Sequence, residues 1–198
     1  MKFFKENSYD IVKLFINQMG ITIFALVLYT AIGFIEDAAL NLQVKVILSV
    51  FATLFYFALL YTATWDFGAK DKIRIDSGRY SATTLKGFIM SLISSIPTLV
   101  IAATCIITII IHISSGNEAV YSVFLVLNLF LRFISSMFLG ILQGIFSFLP
   151  QNSDWKFLWE SVGYLVMPII SALVCHIGYI FGRREFKIIS LFTGKSKK

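Results

Sequence analysis

The run VYSVFLVLNLFLRFISSMFLGILQGIFSFL, Val120 to Leu149, holds thirty residues and one formal charge, Arg132. So long an apolar stretch fits the hydrocarbon of a bilayer better than a water-soluble core. Within it Asn128, Arg132, Ser136, Gly140 and Gly144 recur every four residues. On an α-helix these positions form one slowly drifting stripe of polar and small side chains. A thirty-residue helix measures about 45 Å, ample for one tilted crossing and too short for two of about twenty residues each.

The rest of the chain has the same character. Of its 198 residues 58% are hydrophobic and 14% charged, with a mean hydropathy of +0.83, which excludes an ordinary globular protein. The net charge of +6 sits in short segments between apolar runs. That placement follows the positive-inside rule rather than a nucleic-acid footprint, so membrane lipids are expected as partners and nucleic acid is not. The fold class read from these features is all-α, a polytopic transmembrane bundle of about five membrane-embedded helical segments in one domain, 1–198.

Residues 1–18 mix Phe3, Phe4, Ile11 and Leu14 with Lys5, Glu6, Asp10 and Lys13. They read either as an amphipathic lead-in at the interface or as an extension of the first helix. The MKFFK opening is read as part of a retained helix rather than a signal peptide, because Glu6 and Asp10 interrupt it. The first span covers about Met19 to Ile35 and ends at Glu36 and Asp37. The second covers about Val44 to Trp65, with Lys45 snorkelling from its outer end. A polar cytoplasmic loop, 66–86, follows; its i,i+4 pairs Asp66/Lys70 and Lys72/Asp76 let it begin as helix before Ser77 and Gly78 break it. The third span, about Gly87 to His112, is kinked at Pro97. A last span, about Ser161 to Phe181, precedes a basic tail at 182–198.

Charge and length disagree about 120–149. Lys and Arg number three before the first span, five between the second and third, one in 150–160 and six after Gly182. Five simple crossings would put the most basic segment outside. A re-entrant hairpin over 120–149 would return it to the cytoplasm, whereas the unbroken spacing of four favours one continuous helix. Both readings stand at this level.

Arg132 is the sharpest chemical signal. A guanidinium near the middle of a span costs at least about 2.5 kcal/mol and needs partners. With no Asp or Glu assigned to any apolar run, these partners are expected to be carbonyls, hydroxyls, water, a neighbouring chain or an anion. The functional reading is an anionic ligand or lipid headgroup held by Arg132 in a cavity lined by Asn128, Ser135, Ser136 and Gln143. The competing reading is an arginine that snorkels into interface water. Ser136, Gly140 and Gly144 form a small-xxx-small run that permits close helix packing, within the chain or against a second copy.

Other candidates are weaker. His112 reads as an interfacial residue and His176 as a hydrogen-bonded packing residue. Cys105 and Cys175 read as buried thiols. No Walker, HExxH or GxSxG sequence is present, so no cofactor or metal is expected and an enzyme has no positive support.

Two runs, WDFGAKDKIR at Trp65–Arg74 and GYIFGR at Gly178–Arg183, resemble those of small multi-pass membrane proteins of low-GC Gram-positive bacteria for which no activity is established. The resemblance implies a bacterial plasma membrane and supplies no binding residues. The functions expected are a transport-related or anionic-ligand/lipid-binding membrane component with its N terminus in the cytoplasm, or an accessory or scaffolding subunit acting through a protein partner or homo-oligomer. An intramembrane enzyme ranks third, since it would need convergent acid, base or metal groups.

Overall fold

The computed structural model describes residues 2–32, 37–78, 83–150 and 153–185. The expected end of the first span at Glu36, part of the 66–86 loop and the tail beyond Glu185 lie outside the described residues. Among the described residues seven helices make up the bundle: α1 (Lys2–Ile32), α2 (Ala38–Asp76), α3 (Lys86–Ser94), α4 (Ile96–Ser115), α5 (Glu118–Ile134), α6 (Ser136–Ile145) and α7 (Asp154–Arg183). The all-α helical bundle is thus as the sequence predicts. Four helices (α1, α2, α4 and α7) are long and apolar enough to cross a membrane, and the bent pair α5–α6 makes a fifth apolar unit.

The distribution of side chains is that of a protein dissolved in lipid. Large apolar residues such as Phe51, Leu54, Val100, Ile107, Val126 and Leu129 are exposed, while Gln18, Thr22, Ser49, Thr64, Asp71 and Ser171 are buried. Water would select the opposite arrangement. This is a polytopic membrane protein.

The helix ends sort by charge. Lys13 of α1 lies over the Phe67 ring of α2, Lys86 of α3 pairs with Asp71 of α2, and Lys72 pairs with Glu185 just beyond α7. The N-terminal ends of α1 and α3 and the C-terminal ends of α2 and α7 therefore share one end of the bundle, the basic end. At the other end His112, near the close of α4, faces Asp154 at the start of α7. α5 begins beside the end of α4, and α6 ends nine residues before α7 begins at that same end, so the chain turns through 112° between α5 and α6 and heads back toward the end it left.

Helices α2 and α7 cross closely at the basic end because both present glycine there. A Cβ on Gly68 would fall 2.9 Å from the Arg183 nitrogen, one on Gly182 2.8 Å from the Trp65 carbonyl carbon, and one on Gly178 2.8 Å from the Tyr61 carbonyl oxygen. The two runs that carry the resemblance thus pack on each other. Asp37 opens α2 by accepting from the Ala39 and Leu40 amides, and α2 continues through Asp76 before Gly78 takes a φ of 71°. Lys70 pairs with Asp66 as expected. Lys72, expected on Asp76, instead reaches Glu185 at 3.1 Å, because the close crossing brings the end of α7 alongside.

Candidate functional site

The stripe of four does not survive as one helix. The backbone breaks at Ser135 (φ −112°, ψ 27°), and α6 departs from α5 at 112°. A broken helix at membrane depth must find partners for its freed backbone groups within the protein. Here α1 and α2 supply them. Thr22 donates its hydroxyl to the Ile134 carbonyl (2.7 Å), and Ser136 donates back to the Thr22 carbonyl (3.0 Å). Ser49 inserts its hydroxyl into the ladder of α6, donating to the Met137 carbonyl and accepting from the Ile141 amide. Thr53 also donates to Met137, and the Tyr29 hydroxyl accepts from the Gly140 amide. The bend is a built feature of the junction of α5 and α6 with α1 and α2.

Arg132 lies in the last turn of α5, just before the break. Its Nη2 donates to Oε2 of Glu160 on α7 at 2.5 Å. Glu160 is 2% exposed, and the arginine side chain keeps 30% exposure. The guanidinium also stands over the Phe157 ring at 5.9 Å. This corrects the expectation that no carboxylate is available to Arg132. Glu160 falls just before the expected start of the last span at Ser161, but α7 starts at Asp154 and carries Glu160 about 9 Å into the bundle.

The pair leaves polar capacity unused. Arg132 Nε, Glu160 Oε1, the Ser135 hydroxyl and the Tyr164 hydroxyl are all buried and have no hydrogen-bond partner among the described residues. Tyr164 sits one turn past Glu160 on α7. An ion pair that leaves a buried donor on Arg132 and a buried acceptor on Glu160 unused is a costly arrangement in hydrocarbon. No known protein family, curated protein or solved structure matches the chain.

The other residues singled out in the sequence fall in different places. Asn128 is buried on α5, one turn before Arg132. Ser136 faces α1 through its bond to Thr22, away from the role of cavity wall. Gln143 lies further along α6, partly exposed. Gly140 packs on α2, where a Cβ would fall 2.6 Å from the Lys45 carbonyl carbon, and one on Gly144 would meet Val46 Cγ2 at 2.6 Å. Glu160 and Tyr164 were not anticipated.

The two histidines lie far apart, His112 beside Asp154 and His176 about 33 Å further along α7. His112 Nδ1 is 3.2 Å from the Asn117 carbonyl, and its ring lies 4.5 Å from that of Tyr121. His176 Nδ1 is buried with no hydrogen-bond partner among the described residues, and its ring meets Phe88 edge-on, so it is a packing residue without the expected hydrogen bond.

A second charged cluster closes the basic end. Lys86 Nζ lies 2.6 Å from Asp71 Oδ2, and both side chains are almost fully buried. The Tyr179 hydroxyl donates to the same oxygen at 2.9 Å, and Arg74 stands 3.7 Å from Oδ1. Every Asp71 oxygen has a positive or donating neighbour. This cluster joins α2, α3 and α7 and has the character of a structural clasp.

Proposed function

We propose that the protein is a ligand-binding, transport-related component of a bacterial plasma membrane, with its basic end and N terminus in the cytoplasm. The site in this reading is the Arg132–Glu160 pair at the tip of the re-entrant α5–α6 unit. One observation carries it: an ion pair with an unused polar atom on each partner and an unpartnered tyrosine hydroxyl one turn on, beside a broken membrane helix. Unwound helix at membrane depth is tolerated where it is buried in protein or lines a cavity, and ionisable residues there mark solute or ion sites. The gathering of basic helix ends supports the orientation, and the resemblance to Gram-positive membrane proteins supports the location.

The reading is tested by restoring a charge from water. Arg132→Cys removes the cation and leaves Glu160 buried alone. The cost is below the roughly 3–5 kcal/mol of a fully buried pair, because the arginine keeps 30% exposure. A trimethylammonium methanethiosulfonate reagent, which cannot cross lipid, is expected to label this cysteine in native membranes and raise the Tm again. The sulfonate analogue, placing an anion beside Glu160, is expected to label without rescue. Absence of labelling by both would mean that water does not reach the site, and the reading would fail.

A second reading, an accessory subunit, has one feature in its favour. An apolar groove of about 640 Å³ lies between α2 and α6, lined by Leu42, Val46, Ile47, Val50, Ile141 and Ile145 among others. Ile47, Val50 and Ile145 in its wall are exposed and apolar, a surface that lipid covers equally well, so the binding reading is preferred.

A further inference from the structure

We infer that the site takes a small zwitterion, one carboxylate or phosphate together with one ammonium. This inference rests on reading the Arg132–Glu160 cluster as a binding site, and it follows from the charge count there.

An anion alone would satisfy Arg132 but strip Glu160, 2% exposed, of its counter-charge. A cation alone would satisfy Glu160 and leave the arginine without one. Either exchange strands a charge in a low-dielectric interior, which is the expensive way to open a buried pair. A neutral polar molecule can use the spare Tyr164 hydroxyl but cannot replace the attraction it would have to break. A zwitterion opens the pair with every charge still matched. Its acidic group takes Nε and an Nη of Arg132 in a two-pronged contact, for which Nε is unused. Its ammonium takes Glu160, whose Oε1 is likewise unused. The Tyr164 hydroxyl, one turn past Glu160, buried and without a partner among the described residues, is left to orient it. The internal pair then acts as a stand-in for the ligand, holding the site closed when it is empty and yielding two ion pairs for one.

This pair of charges is carried both by free amino acids and by an ethanolamine phosphate headgroup. The test uses the intact protein in mild detergent and follows its thermal unfolding with five additions. These are a mixture of L-amino acids with uncharged side chains, glycerophosphoethanolamine, and the carboxylates, the amines and the amides matched in carbon skeleton to the amino acids. The expected result is a saturable Tm rise of about 5–10 °C near a hundredfold excess over Kd, with one of the two zwitterionic additions and with none of the other three. The addition that acts identifies the source. The rise should disappear in Glu160→Gln and in Arg132→Gln, and the wild-type comparison decides the question even where those variants fold poorly. An equal rise with the carboxylates alone would overturn the zwitterion and leave an anion site. No rise with any addition, while Arg132→Cys is still labelled from water, would overturn the ligand class alone. No rise and no labelling would overturn the binding reading beneath it.

Discussion

Lys86→Met is expected to destabilise the protein by about 3–5 kcal/mol, the usual cost of removing one member of a fully buried pair. The partner left behind, Asp71, has a side chain only 3% exposed and would keep the Tyr179 hydroxyl and a longer contact to Arg74. Neither replaces the ammonium 2.6 Å from its Oδ2. Against a total stability of about 5–15 kcal/mol this is a large fraction, so the variant should show a much lower Tm and poor yield. Lys86→Met combined with Asp71→Leu removes both charges and is expected to recover most of the loss, because paired burial of charge contributes little net stability over well-packed apolar groups. Unfolding of the two single variants and the double variant checks this. A single variant within about 1 kcal/mol of wild type would mean that the clasp is hydrated and not the closure of the basic end.

Gly182→Ala is expected to have the next largest effect, a loss of about 1–3 kcal/mol or more, because the neighbour it would strike is backbone. The new Cβ would lie 2.8 Å from the Trp65 carbonyl carbon, and neither α2 nor α7 can turn a side chain aside to admit it. Separating the helices there would also lengthen the Tyr179–Asp71 hydrogen bond. Gly20→Ala on α1 provides a control of opposite sign. Nothing lies within 4 Å of its added Cβ, so removing a helix-interior glycine should stabilise by about 0.5–1 kcal/mol. Thermal unfolding of the pair checks the packing account. Equal tolerance of both alanines would contradict it.

The helical content and the membrane spans were legible because apolar runs of spanning length declare themselves. The break at Ser135 was not. Spacing of four continues evenly from Asn128 to Gly144, and the bend is decided by Thr22, Tyr29 and Ser49, which lie on other helices. No local property of 120–149 reveals those partners. Glu160 is different, for its signal was present. Trp155 and Trp159 are exposed at 58% and 49%, while Lys156, Glu160 and Tyr164, the next residues at spacings of four, are buried. Two faces at helical period already run through 155–160, ahead of the expected start of the last span at Ser161. Asp71 likewise continues the buried stripe of α2 through Leu60, Thr64 and Phe67, three to four residues apart. Reading that stripe to its end would have placed an acid inside the bundle.

The architecture that positions Arg132 against Glu160 depends on α5–α6 returning to the end it left. Single cysteines at Ser115→Cys, Ser153→Cys and Ser77→Cys, labelled in intact cells with an impermeant maleimide, test this most directly, since the native Cys105 and Cys175 are buried. Ser115→Cys and Ser153→Cys are predicted to react from the same face of the membrane, and Ser77→Cys only after permeabilisation. Reaction of Ser115→Cys and Ser153→Cys from opposite faces would show that 118–149 crosses completely, and the site described here would not exist.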